Sequence, residues 1–457
     1  MAGGLMQLVA YGAQDVYLTG QPKVTFFQAI YKRHTNFAME NITQTVNGSA
    51  ANGGRVSVTI ARNGDLVGNM YVAMNPWALA ATTNLAATST NSVFDTNWVA
   101  ERAIADVELT IGGQRIDKHY QAWWRLYCEL FLSDEDKLGW YKMTTNAAQV
   151  TADTRVFLPL LFFFNRNPGL YLPLIALQYH EVRLDFNLTP YFESYFNKNV
   201  FEVWANYVYL DTEERRRFAQ KGHEYLIEQV QHTGADTIFQ TAPASGSQSA
   251  TIRLSYNHPV KELVWAYTNA AYPGTLSTTT TGTNLNSLWN FSTNCANVNV
   301  TSNLTLFSNT NNYTLLHHLG APMAYTGSGT VGSDSNKGLM TEDGPSTLGI
   351  EAGPLANFRL ILNGQDRFAQ QPGKYFNQVQ AFYHHTGNPY PGVYCYSFAL
   401  QPEEHQPTGT CNFSRIDNAQ VAVTLKSGTT TTQQRMFAVN YNILRISSGM
   451  GGLAFSN

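Results

Sequence analysis

The chain has 457 residues, a formal net charge of −3, 13% charged residues and 13% aromatic residues. That length accommodates two large β domains, each with a sizeable core. The near-neutral charge, with nothing more basic than Arg215-Arg216-Arg217 and no Lys or Arg before Lys23, argues against an arm that neutralises a nucleic-acid backbone.

Cys128, Cys295, Cys395 and Cys411 are scattered and form no C-x-x-C pair, so they read as reduced thiols of a cytosolic product. The first twenty residues lack the basic start of a signal peptide, and Ala2 breaks the N-myristoylation pattern. Residues 1–22 read as an irregular arm whose only charge is Asp15. Its Leu5, Leu8, Val9, Tyr11, Val16, Tyr17 and Leu18 predict a segment that orders only within an assembly. A short helical pattern runs from Val24 to His34.

Strand patterning then begins. Val56, Val58 and Ile60 alternate with Ser57 and Thr59, and Asn63-Gly64-Asp65 supplies a tight turn before Leu66–Met74. Residues 78–100 are rich in Ala, Thr and Asn and read as a loop. Val107, Leu109 and Ile111 alternate with Glu108 and Thr110 until Gly112-Gly113 breaks the strand. Tyr120–Leu132 has helical spacing, with Trp123-Trp124 placing one ring on the sheet and the other free for a subunit contact. Strands are predicted at Phe157–Phe164, Val182–Leu188 and Phe201–Leu210. The apolar run Val156–Phe164 is too short to span a bilayer and stops at Asn165-Arg166-Asn167-Pro168-Gly169, a turn between strands.

Tyr207–Gln229 is the joint of the chain. An apolar strand passes into a charged helix that Asp211 can cap, with Glu213 and Glu214 at its positive end; Gly222 ends it and a second strand begins near Tyr225. Beyond the joint, earlier landmarks return in order. Phe37–Asn41 is answered by Tyr225–Gln229, and Asn63–Leu66 with Met70–Val72 by Asn257–Val260 with Leu263–Trp265. Leu109–Arg115 is answered by Leu360–Asp366, and Asn206–Leu210 by Asn440–Leu444. Four matches in sequence point to a duplicated domain. The second copy carries an extra segment, 270–356, too polar for a core; from Leu263 to Ser333 there is no Asp, Glu, Lys or Arg.

These features predict an all-β fold of two tandem eight-stranded jelly-roll sandwiches with short helices in the connections. The predicted parts are an arm at 1–25, a first jelly roll at 26–212, a helical linker at 213–224 and a second jelly roll at 225–457. An immunoglobulin-like sandwich is the structural alternative, but its Cys…Trp…Cys spacing is absent.

The duplicated chain closely resembles the major capsid proteins of nucleocytoplasmic large DNA viruses, and among them those of the alga-infecting phycodnaviruses. The stretches that carry this are MAGGLMQLVAYGAQDVYLTG (1–20), LTIGGQRIDKHY (109–120) and PLIALQYHEV (173–182). LDTEERRRFAQKGHEYLIEQ (210–229), GTCNFSRIDNA (409–419) and NYNILRISSGMGGLA (440–454) complete them. Residues 78–100 and 270–356 carry no family pattern and should be variable surface loops. The resemblance implies a double jelly roll, homotrimers of pseudo-hexagonal outline and contacts with neighbouring capsomers and minor capsid proteins. It implies an icosahedral shell, outside an internal membrane and a DNA genome, assembled in the host cytoplasm.

A catalytic alternative finds little support, and no catalytic, cofactor-binding or metal-ligating residue is assigned. A cupin-type metal site needs His-x-His, which is absent; His317-His318 and His384-His385 are adjacent, and on a strand they would point to opposite faces. Asp117 and His119 have ligand spacing, but a lone pair beside a turn reads as a local hydrogen bond. There is no Gly-x-Ser-x-Gly elbow, phosphate-binding Gly-Lys-Ser/Thr or His-Glu-x-x-His. A lectin-like minor capsid paralogue is the functional alternative, with Trp289 as its candidate sugar-stacking ring. Arg215-Arg216-Arg217 reads as an interdomain helix paired with Glu213, Glu214 and nearby carboxylates. Asn290, Asn299, Asn303 and Asn312 begin Asn-x-Ser/Thr triplets and are the glycosylation candidates.

Overall fold

The computed structural model describes residues 3–76, 98–145, 155–190, 192–237, 248–268, 353–389, 392–426 and 433–455. The four candidate glycosylation sites, Trp289, His317-His318, Cys295 and nearly all of the predicted 78–100 and 270–356 loops lie outside these.

The chain divides into two compact units, Met1–Phe37 and Ala38–Asn457. Within the first, two short helices, α1 (Gly3–Val9) and α2 (Asp15–Thr19), stand where an irregular arm was predicted. Leu5, Met6, Gln7 and Leu8 are good helix formers. Ahead of α2, the Asp15 carboxylate accepts the Gly12 N–H at 2.8 Å. The pattern at Val24–His34 forms no helix. Pro22 lies just before it, and Thr25, Phe26 and Phe27 lose side-chain freedom in a helix.

The second unit carries sixteen main strands. Those of the first half are β1 (Phe37–Gln44), β2 (Arg55–Thr59), β3 (Leu66–Pro76), β4 (Ile104–Ile111), β5 (Gln114–Tyr120), β6 (Val156–Pro159), β7 (Val182–Leu188) and β8 (Phe196–Leu210). Those of the second are β9 (His223–Gln231), β10 (Gln248–Leu254), β11 (Pro259–Thr268), β12 (Leu355–Leu362), β13 (Gln365–Asp366), β14 (Val393–Ser397), β15 (Ala419–Leu425) and β16 (Gln433–Ser447). The first half forms sheets of order β1-β8-β3-β6 and β2-β7-β4-β5; the second forms β9-β16-β11-β14 and β10-β15-β12-β13. The two orders are the same, strand for strand, and each is a jelly roll. All four repeated landmarks fall on corresponding strands.

The turns repeat as well. β4 and β5 are joined through Gly112-Gly113, β12 and β13 through Asn363-Gly364, and all four residues have positive φ (57°, 83°, 51° and 80°). A two-residue hairpin with both centres left-handed matches the strand twist, which is why Gly and Asn recur there. In both hairpins the residue before the turn pairs with the Gln after it, Ile111 with Gln114 and Leu362 with Gln365.

Helices fill the connections: α3 (Gln121–Phe131) and α4 (Asp134–Thr144) between β5 and β6, α5 (Thr212–Gln220) between the halves, and α6 (Gln380–His384) between β13 and β14. Asp211 caps α5 as predicted, accepting the Thr212 N–H at 2.8 Å. The strand predicted at Phe157–Phe164 stops at Pro159, and Phe163–Arg166 is a helical turn. Leu160 N–H still donates to the Met70 carbonyl at 3.0 Å, and the chain then turns away. Asn165 then closes the turn, accepting the Phe162 N–H at 3.2 Å and donating to the Gly68 carbonyl at 2.8 Å.

Strand alternation sets each core. β15 reads buried and half-buried in strict turn, Ala419, Val421, Val423 and Leu425 facing in. At the centre of the second sandwich, Trp265 stacks on Phe358 at 4.5 Å, with Phe376 at 5.4 Å and Tyr394 at 5.8 Å. Trp265→Ala should destabilise the protein by about 3–5 kcal/mol in chemical denaturation, the cost of truncating a fully buried aromatic; a loss under about 1 kcal/mol would show that this ring cluster is not the packing centre.

Candidate functional site, the seam between the sandwiches

The outer face of sheet β9-β16-β11-β14 is not open to water. On β11, Leu263, Trp265 and Tyr267 enter the sandwich's own core, while Val264 and Ala266 point the other way into a core shared with the first sandwich. β16 divides likewise, Met436 and Ala438 inward and Phe437 and Val439 into the shared core, as does β14 with Tyr394 and Tyr396 against Val393 and Cys395. Strands buried on both faces carry continuous apolar runs, here Leu263–Tyr267 and Met436–Val439.

From the first sandwich, α3 and the end of β5 fill this seam. Trp123 lies 5.6 Å from Phe437, Tyr120 packs edge-on to His232 at 4.9 Å, and Phe131 does the same to His385 at 5.0 Å. Backbone groups register the halves: Val230 N–H donates to Asp117 Oδ1 at 3.1 Å and Gly387 N–H to the Leu130 carbonyl at 3.0 Å. The Gln229 amide donates to the Ile116 carbonyl. Lys137 on α4 reaches across to the Asn388 carbonyl at 2.7 Å. The hairpin strand Met450–Leu453 joins in, Leu453 N–H donating to Gln114 Oε1 at 3.1 Å.

A buried charge cluster pins the seam. Glu228 accepts from Arg166 of the first sandwich at 3.0 Å and from Lys261 at 2.6 Å, and Lys261 also donates to the Pro402 carbonyl at 2.6 Å. Burial pushes the Glu228 carboxyl up, but Arg166 and Lys261 together outweigh this and hold it below the usual carboxylate range. Nearby, His385 sits between Glu262 at 3.1 Å and Glu403 at 3.2 Å. Burial alone would discharge that imidazole, yet Cys395 and Glu262 beside it hold its pKa well above the ordinary value. His232 is the opposite case. Burial takes it down to about 4, although its Nδ1–H donates to the Met436 carbonyl at 2.8 Å.

Comparison with known proteins gives this architecture its family. Residues 25–211 match the family described as "Major capsid protein N-terminus", and residues 214–452 that described as "Large eukaryotic DNA virus major capsid protein". The chain belongs to the large eukaryotic DNA virus major capsid proteins. It is 42% identical to the major capsid protein of Paramecium bursaria Chlorella virus 1 and 39% identical to that of Phaeocystis pouchetii virus, with both chains of each pair fully covered. A chain of the PBCV-1 virus capsid quasi-atomic model superposes with a TM-score of 0.69 at 37% identity, covering 95% of this chain and 100% of the other. The Faustovirus major capsid protein, at 13% identity and a TM-score of 0.59, shares the fold.

This capsid family is structural rather than enzymatic, and the residues singled out for chemistry have structural places. Asp117 and His119 form a buried pair at 2.9 Å, the imidazole stacked on Phe162 at 4.5 Å. His384 and His385 end α6 instead of lying on a strand; His384 bonds the Leu400 carbonyl, whereas His385 turns into the seam. Among the described residues no group of three or more His, Cys, Asp and Glu side chains is placed to hold a metal ion. Both tryptophans of Trp123-Trp124 are buried, contrary to the expectation of one exposed ring. The reason is that α3 is packed on two sides, Trp124 donating to the Pro159 carbonyl at 3.1 Å while Trp123 enters the seam. Arg215 bridges to Asp65 at 3.0 Å, which ties α5 to the first sandwich, while Arg217 pairs with Glu214 within the helix at 3.8 Å. Sequence reasoning passed over Arg166, Glu228, Lys261 and Glu262, and weighed His385 only as half of a metal-binding doublet. The available signal was Lys261-Glu262, two charges inside an otherwise apolar strand.

Two outcomes follow from the capsid chain's seam. Glu228→Gln removes the negative charge that Lys261 and Arg166 share and should cost about 3–5 kcal/mol, the usual result of breaking a buried ion pair from one side; denaturant midpoints check this. His232 is neutral when folded and titrates near its ordinary value, about 6.5, when unfolded. Its contribution is therefore whole above that pH and lost as pH falls towards about 4. The melting-temperature advantage of wild type over His232→Phe should shrink across that window, and a constant difference would exclude His232 as the group responsible.

Proposed function

We propose that this major capsid protein forms cyclic homotrimers with a pseudo-hexagonal outline, which tile the icosahedral shell of a large double-stranded DNA virus. The observation that carries the reading is the repeated strand order within one chain. Two near-equivalent sandwiches per chain, taken three times about an axis, present six similar bodies, and such a block fits a hexagonal lattice with only three chains. The short α5 connection and the shared core favour sandwiches fixed side by side.

In this reading residues 1–25 are the arm, 26–212 the first jelly roll, 213–224 the helical linker and 225–457 the second jelly roll with its 270–356 insertion. The subunit meets neighbouring capsomers and minor capsid proteins rather than nucleic acid, and assembles in the host cytoplasm outside an internal membrane. The unbonded thiols of Cys128, Cys395 and Cys411 are in keeping with a reducing compartment. Native mass spectrometry of the full chain should give the trimer as dominant species. A stable monomer or dimer, at concentrations where particles otherwise form, would sink the proposal.

A further inference from the structure

The seam inside the chain has a counterpart on the first sandwich that, among the described residues, is less fully covered. Ladder pairing sets the equivalence. On the second sandwich Phe437 pairs with Val264, Val264 with Cys395 and Ala266 with Val393, and these residues are buried in the seam. At the matching ladder positions of the first sandwich Trp204 pairs with Tyr71, Tyr71 with Pro159 and Ala73 with Phe157. Tyr71, Phe157 and Trp204 are only part-buried on that outer face. They form one aromatic platform, Tyr71 lying 6.4 Å from Trp204 with nearly parallel rings and 5.7 Å from Phe157.

The other side of the contact is duplicated too. In the first sandwich the connection between β5 and β6 carries α3, which covers the second sandwich's face. In the second sandwich the corresponding connection between β13 and β14 carries α6. Phe382 and Tyr383 on α6, with Val379 just before it, share a face at the i, i+3, i+4 spacing, and they are 81%, 72% and 40% exposed. Leu400, tied to α6 through His384 at 3.1 Å, is 75% exposed beside them. These three side chains of the connection, with Leu400 from beyond β14 beside them, are costly to leave in water.

We propose that α6 of one chain docks on the Tyr71–Phe157–Trp204 platform of a second copy, repeating between chains the contact that α3 makes within the chain. The proposal rests on the trimer reading above and supplies its seam. A head-to-tail contact of this kind closes a ring when its rotation allows. Three chains then hold six related seams, three within chains and three between them. The occupant is a second copy because, among the described residues, the apolar helix that covers this kind of face is α3, the equivalent helix of the same fold.

The test uses the full chain with p-benzoylphenylalanine in place of Phe382, mixed as isotope-labelled and unlabelled protein and irradiated. Crosslinked peptides should join a labelled to an unlabelled chain and map to residues 66–76, 156–159 or 196–210. In parallel, the doubly substituted Phe382→Asp, Tyr383→Asp chain should keep its melting temperature and associate at least about tenfold more weakly in native mass spectrometry, the effect expected of a buried aromatic anchor. A trimeric wild type whose crosslinks fall within one chain or map elsewhere overturns the docking alone, as does an undiminished trimer in the aspartate variant. A monomeric wild type overturns the trimer reading and the docking together.

Discussion

The architecture depends on one sheet having no wet side. Because β9-β16-β11-β14 packs inward on its own sandwich and outward on α3, neither half presents a finished surface without the other. Hydrophobic burial is non-directional and would allow the halves to slide. The polar contacts set the register: Val230 on Asp117, Gly387 on Leu130, Lys137 on Asn388, and Glu228 between Arg166 and Lys261. Each is satisfied in one alignment only, and misalignment would leave buried charges unpaired. Apolar area thus supplies the driving force, and the polar groups supply the choice of geometry.

The repeat was legible in the sequence because a jelly roll's turns and edge strands have local requirements. Gly112-Gly113 and Asn363-Gly364 must be left-handed, so the matching hairpins stand out from the sequence. Strands with one wet face, such as Val107–Ile111, announce themselves by alternation. The seam was not legible, for the opposite reason. A strand buried on both faces shows no period, and Leu263–Tyr267 looks the same whether its second face meets a neighbouring domain or a lipid. Local patterning also says nothing about what lies on the far side of a helix, so Trp123 and Trp124 could not be apportioned. The charged groups were hidden because they are distant in sequence: Glu228 and Lys261 converge through the pairing of β9 with β16 and of β16 with β11, and Arg166 reaches them from the turn after β6.

Charge is used sparingly and placed deeply. Glu101, pushed up by burial against the pull of Arg125, accepts the Trp140 indole at 2.7 Å, and Arg125 lies over the Trp98 ring at 4.1 Å. This cluster stiffens the α3–α4 connection behind the seam, as Glu228 stiffens its front. Such a subunit resists shear between its halves through groups that water and salt screen weakly.

The long pairing of β9 with β16, His223 opposite Ile446, has a consequence for biosynthesis. The ribosome completes the first sandwich while the second is still unmade, and β9 cannot find its partner until the final residues emerge. At about 5–20 residues per second, the face formed by Trp123, Tyr120 and Phe131 stays wet for tens of seconds on every nascent chain. In an infected cell producing shell protein in bulk, many such half-made molecules coexist, each displaying a surface shaped for a sandwich that its neighbours are also about to make. Domain exchange, a characteristic failure of multidomain and repeat chains, is the error that this order of synthesis favours.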